Sequence, residues 1–208
     1  ARKRFGQHFL HDQSIIHRLI RAIHPQTGQT LVEIGPGQGA LTLPLLQQCE
    51  ELTAIELDRD LIPILQEKSA PIGTLNLINS DILNIDLSEL ALTPPLRVVG
   101  NLPYNISTPL MFHLLKRSDL IQDMHFMLQK EVAERIIARA NQKNVNTKHY
   151  GRLSVMMQYY CQCEYLFDVP PNCFSPPPKV DSAIIRMIPH AQPPVEIKDV
   201  EMLSSVVQ

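Results

Sequence analysis

The sequence predicts a doubly wound α/β protein, with a mostly parallel sheet and an antiparallel strand pair at one edge. Three observations carry this expectation. Short apolar runs alternate with segments of helical period five times over. The first run, residues 31–34, breaks into a turn with glycines at 35, 37 and 39. Successive runs also end on or near an acid: Glu33, Glu56 and Asp81. Open α/β sheets bind ligands at the carboxyl ends of their strands, so a series of polar strand ends marks a site.

Before the first run, residues 2–10 mix charge, aromatics and a glycine without either period and read as an ordered arm. Asp12 is placed to cap a helix with Ile15, Ile16, Leu19, Ile20 and Ile23 on one face, closed by His24 and Pro25. The glycine turn opens a helix over residues 41–48. Residues 52–56 form the second strand and 59–69 its helix; 75–81 form the third strand. A fourth strand at 96–100 runs directly into Asn101, Leu102, Pro103 and Tyr104. Then follow a helix at 108–116, a strand at 124–128 and a helix near 131–140. The polar stretch 141–150 reads as a loop, 153–160 as a helix, and 163–169 with 183–188 as the antiparallel pair. Between these strands the proline-rich segment 170–179 is held extended, and it is expected to present Phe174 rigidly.

The chain has 208 residues, enough for one substantial core and the start of another unit. No apolar run is long enough to span a bilayer, so the expectation is a cytoplasmic protein with no membrane partner. Four cysteines without paired Cys-x-x-Cys units, and eight histidines without a ligand spacing, predict neither zinc nor any other metal. The net charge of −2 gives no global attraction to nucleic acid, although Arg135 and Arg139 belong to a local basic group. The chain begins without Met and stops inside a helix-like pattern at residues 199–207, which reads as a fragment.

The turn is Gly-x-Gly-x-Gly and lacks the dinucleotide spacing, so it disfavours a nicotinamide. Its glycines, Gly35 and Gly37 first, let backbone N–H groups approach a ligand. Glu33 is costly in an apolar strand unless it meets a cation or a donor, and an ammonium-bearing ligand would serve. Glu56 is placed to accept both hydroxyls of a ribose, and Asp81 to accept from an adenine amino group. Alone, Asp81 is equally a turn or cap residue, whereas a helix N-terminal charge fits Asp58 and Asp60 better than Glu56.

An exocyclic amine on an aromatic base is a poor nucleophile, because its lone pair is delocalised into the ring. Acceptors arranged around the nitrogen favour the rehybridised form and so act in the transition state. The Asn101 side-chain oxygen and the Leu102 carbonyl are suited to this. Pro103 fixes the backbone and Tyr104 offers a ring for stacking.

With these residues in place, the chain resembles the KsgA family of small-subunit ribosomal RNA adenine dimethyltransferases. The matching stretches are residues 4–10, 32–37, 55–58, 101–107 and 174–182. The resemblance implies a Rossmann-like class I methyltransferase fold and S-adenosylmethionine as methyl donor. It implies cofactor contacts at His8, Leu10, Gly35, Glu56, Asp81 and Asn101; several bacterial members carry Asn where His8 stands. The implied reaction is dimethylation of two adjacent adenines in a hairpin loop of 16S rRNA. The implied partner is the 30S subunit or its precursor, met by a monomeric enzyme with a role in ribosome biogenesis. Tyr104 and Phe174 would clamp the base, while Arg135 and Arg139 hold flanking phosphates. Residues 1–193 would form the catalytic domain, and 194–208 the start of a helical C-terminal domain. Competing readings are a large-subunit rRNA methyltransferase of the antibiotic-resistance type, a non-catalytic nucleic-acid-binding or assembly factor, and a small-molecule methyltransferase.

Overall fold

The computed structural model describes residues 8–139 and 150–196. Most of the arm, all but the last residue of the expected loop at 141–150, and the pattern at 199–207 therefore lie outside the described residues.

A seven-stranded sheet has the order β4-β3-β2-β5-β6-β9-β7. Its strands are β2 (Thr30–Ile34), β3 (Glu51–Glu56), β4 (Thr74–Asn79), β5 (Leu96–Asn101), β6 (Ile121–Gln129), β7 (Cys161–Val169) and β9 (Ser182–Pro189). The first five are parallel and follow the order of a Rossmann sheet, 3-2-1-4-5 when counted from β2. The expected antiparallel pair is present, with one refinement: β9 inserts between β6 and β7 and runs antiparallel to both.

Whereas the edge strand β4 is only partly covered, the central parallel strands β2, β5 and β6 are mostly buried because both faces of the sheet are covered there. Alternation still sorts them: Val32, Ile34, Val98 and Phe126 enter one core, and Leu31, Val99 and Met127 the other. Helices α4 (Ser107–Leu115), α5 (Lys130–Ile137) and α6 (Arg152–Tyr160) contribute to the first core. Helices α1 (Gln13–Ile23) and α2 (Thr42–Cys49) contribute to the second. A further helix, α3 (Ile62–Ser69), follows β3.

Helix α1 starts where Asp12 accepts from the Ile15 N–H at 2.9 Å. It ends at His24, whose φ of 50° turns the chain out of the helix before Pro25. Arg97, at the start of β5, holds that end. It pairs with Asp123 through Nε and Nη2, both at 2.9 Å, and donates to the carbonyls of Ile23 at 2.6 Å and His24 at 3.3 Å. Both partners are buried, at the end of the sheet opposite the glycine turn.

Two short strands lie outside the main sheet. β1 (Phe9–Leu10) pairs antiparallel with β8 (Phe174–Ser175), so the arm is tied to the proline-rich segment. This pairing corrects the expected role of Phe174. Its ring is 3% exposed and packs in the second core, in the same cluster as Leu10 and Cys173, instead of projecting from a loop.

Candidate active site

The cleft lies at the carboxyl ends of β2 and β5, where the strand order reverses. Its volume is about 740 Å³, and its lining includes residues 33–41, Glu56, Asp81 and 101–106 together with His8, Phe9 and Leu10. Of the sequence-predicted residues, only Phe174, Arg135 and Arg139 do not line it. Both arginines are exposed, one on α5 and one just beyond it.

The glycine turn carries positive φ angles at Gly35, Gly37 and Gly39. Close approach is the reason at Gly37: a Cβ there would stand 3.3 Å from the Phe9 ring, so glycine lets the arm close over the turn. Gly100 meets the same requirement inside the sheet, since a Cβ would fall 2.7 Å from the Ile34 carbonyl oxygen.

Glu56 ends β3 as a buried residue. It is 4% exposed, and its carboxylate accepts from the Gly37 N–H at 3.0 Å and the Asp58 N–H at 2.8 Å. Burial raises its pKa, while these two donors oppose the rise. Each oxygen keeps a lone pair for a further donor. Glu56 therefore builds the turn as well as facing the cleft. Asp81 is likewise shared: Oδ1 accepts from the Leu83 N–H at 3.0 Å, capping a 3-10 turn at Ile82–Asn84, and the second oxygen is left over.

Glu33 is 2% exposed, and its Oε2 has no partner; neither has the buried Thr42 hydroxyl. Burial pushes the pKa of Glu33 up to about 8, reinforced by the Glu56 charge. An orphaned acid at a cleft wall is a group awaiting a donor.

At the end of β5, Leu102 N–H donates to the Met127 carbonyl at 3.2 Å and Ile106 N–H to the Pro103 carbonyl at 3.1 Å, which fix the tetrapeptide as a turn. Asn101 Nδ2 donates to the His8 carbonyl at 3.3 Å. The His8 ring stacks on Tyr104, with centroids 5.9 Å apart, and its Nδ1 bonds the Pro176 carbonyl at 2.7 Å. Since that carbonyl only accepts, Nδ1 carries the proton. The Tyr104 hydroxyl bonds Ser182 Oγ at 2.8 Å. Ser182 and the Pro176 carbonyl were not singled out from sequence, although both lie in the matched stretch 174–182. Among the described residues no group of three or more His, Cys, Asp or Glu could hold a metal ion, and no helix is long and apolar enough to cross a membrane.

A Rossmann-like sheet with an inserted reversed strand, and acids and a glycine turn at its switch point, defines a class I methyltransferase. Solved structures agree. A dimethyladenosine transferase from Plasmodium falciparum is 29% identical with a TM-score of 0.77, covering 88% of this chain and 64% of that one. The 23S rRNA methyltransferase ErmE gives 29% and 0.77, covering 96% and 77%. The chain belongs to the ribosomal RNA adenine dimethylase family, whose model matches residues 1–208. Proteins named ribosomal RNA small subunit methyltransferase A are similar over its whole length. The protein of Alcanivorax borkumensis is 56% identical with 72% of its own length covered, and that of Acinetobacter baylyi 54% with 74%.

Proposed function

We propose that this protein transfers methyl groups from S-adenosylmethionine to the exocyclic amino groups of adenines in small-subunit rRNA. The reading extends to two methyls on each of two adjacent adenines in a hairpin loop of 16S rRNA, presented by the 30S subunit or its precursor to a monomeric enzyme. The observation that carries it is Asn101. Its amide nitrogen is committed to the His8 carbonyl, which leaves the oxygen as the acceptor at the end of β5. ErmE is as near in structure as the dimethyladenosine transferase, but relatives at 52–56% identity are named for the small subunit, which disfavours the large-subunit alternative.

The residues fit the methyl donor. Glu33 supplies an unpartnered buried acid for an ammonium, Glu56 keeps lone pairs for ribose hydroxyls, and Asp81 keeps an oxygen for an adenine amine. Gly35 and Gly37, with His8 and Leu10 of the arm, would complete the contacts. When bound, S-adenosylmethionine supplies a methyl group activated by its sulfonium. Asn101 Oδ1 and the Leu102 carbonyl would accept from the target amine, drawing its lone pair out of the ring. The methylated amine would lose its surplus proton to solvent, and neutral acceptors tolerate replacement of both hydrogens. Tyr104, held by Ser182, would stack on the base, which must leave its own stack to arrive there. Arg135 and Arg139, which do not line the cleft, would hold flanking phosphates outside it.

The test is methylation of unmethylated 30S subunits, compared with 50S subunits and free nucleosides, followed by mass spectrometry of the digested rRNA. Dimethyladenine in 16S rRNA is expected. Monomethyladenine as the end product, or methylation of 23S rRNA alone, overturns the reading.

A further inference from the structure

Helix α1 divides by charge as sharply as by hydropathy. Ile16, Leu19, Ile20 and Ile23 are buried, and Ser14, His17, Arg18 and Arg21 are exposed. From Gln13 to Ile23 the helix contains no Asp or Glu. Helix α5 differs, because Glu131 and Glu134 share it with its basic residues. A mixed face is the ordinary solvated surface, whereas a face of one sign is an anion-binding footprint.

Two further features separate this face from chance. The Arg18 guanidinium lies 3.9 Å over the Phe167 ring, and neither Arg18 nor Arg21 meets a carboxylate among the described residues. By contrast, Arg59, Arg97, Arg117 and Arg186 each do. Stacking fixes the plane of Arg18 without consuming its N–H donors, which suits it to a phosphate. The face is also continuous with the cleft, since Gln13, Ile16 and His17 of α1 line it. His17, Arg18 and Arg21 span only about 6 Å of helix axis.

We propose that the exposed face of α1 is a docking surface for the phosphate backbone of the RNA strand flanking the target base, with Arg18 and Arg21 as its principal contacts. This rests on the rRNA reading above and adds where the strand runs. Phosphate contacts position the nucleic acid without reading its sequence, so the surface would set the entry register of the base.

The test uses the full-length protein with Arg21→Gln and Arg18→Gln/Arg21→Gln variants, and measures binding to unmethylated 30S subunits over a range of salt. Each lost contact should flatten the dependence of log affinity on log salt by about 1. The double variant should bind at least about tenfold more weakly at low salt. Cofactor affinity should be unchanged. Arg21 is exposed, and the ring contact to Phe167 belongs to Arg18, so the single variant guards against a folding artefact. Unchanged affinity and salt slope in both variants overturn the proposal while leaving the rRNA reading intact. So would variants that bind rRNA normally but lose an acidic protein partner. A wild-type protein that does not bind the subunit defeats both readings.

Discussion

The side-chain nitrogen of Asn101 donates to the backbone carbonyl of His8, which orients the amide without using its oxygen. A carbonyl cannot donate, so the amide has one satisfactory orientation here. The same residue His8 stacks on Tyr104 and bonds the Pro176 carbonyl. One arm residue thereby connects both ends of the tetrapeptide to the segment that follows β8.

Asn101→Ala is expected to lower turnover on the order of a hundredfold, by analogy with loss of one positioned oxyanion-hole donor. RNA affinity should change little. Single-turnover methylation at saturating cofactor, with a separate binding measurement, distinguishes the two. Near-normal turnover removes Asn101 from the chemistry.

His8→Ala keeps the backbone carbonyl and deletes only the ring. The loss should therefore be milder than for Asn101→Ala: about 0.5–1.5 kcal/mol for the aromatic pair, or roughly two- to tenfold in kcat/KM. His8→Asn should recover part of it if the amide reaches the Pro176 carbonyl. An effect as large as that of Asn101→Ala would mean that the ring itself acts on the substrate.

Glu56→Ala should weaken cofactor binding and also loosen the glycine turn, because the carboxylate holds the N–H groups of Gly37 and Asp58. Glu56→Gln keeps one acceptor and should fall between. Calorimetric titration with a parallel thermal melt checks both. Unchanged cofactor affinity in Glu56→Ala would show that the residue is structural only.

Arg97→Ala should be among the most damaging substitutions far from the cleft. It strands the buried Asp123 and uncaps α1, a class of change that costs about 3–5 kcal/mol. A melting temperature reduced by roughly 10 °C is the expected reading. Replacing both partners by well-packed apolar residues should recover much of it.

The central strands β2 and β5 were legible because burial on both faces leaves mostly apolar runs, and α1 because its cap, period and Pro25 agree. The β1–β8 pair was not, since two residues per strand have no period. The insertion of β9 between β6 and β7 leaves no local trace either. Asn101 was legible from its place after a strand, but its tie to His8 joins residues 93 positions apart. Phe174 looked like an exposed plate because prolines surround it. The β1 pairing turns it into the core, a tertiary effect that composition does not carry. The structural half of Glu56's role leaves no local trace for the same reason: the N–H groups it accepts from belong to a turn 19 residues away and to the residues just after its own strand.

Glu33 makes the sharpest prediction about pH. In the free protein, burial holds its pKa near 8, so it is protonated at neutral pH. An ammonium placed against it would favour the carboxylate, and binding would expel the proton. Because the bound state holds fewer protons, cofactor affinity should rise from pH 5.5 to 7.5 by up to about tenfold per pH unit. Stability of the free protein should run the other way. The folded pKa lies above the ordinary value of 4.5, so the contribution of this group is full below 4.5 and is lost as pH rises towards 8. Glu33→Gln should remove both dependences: its cofactor affinity would be flat over that range, and at pH 8 it would be more stable than the parent protein. Titration calorimetry in two buffers of different ionisation enthalpy counts the released proton. A parent protein that releases none, or a Glu33→Gln variant with the parent's pH profile, would show that Glu33 does not meet the ammonium.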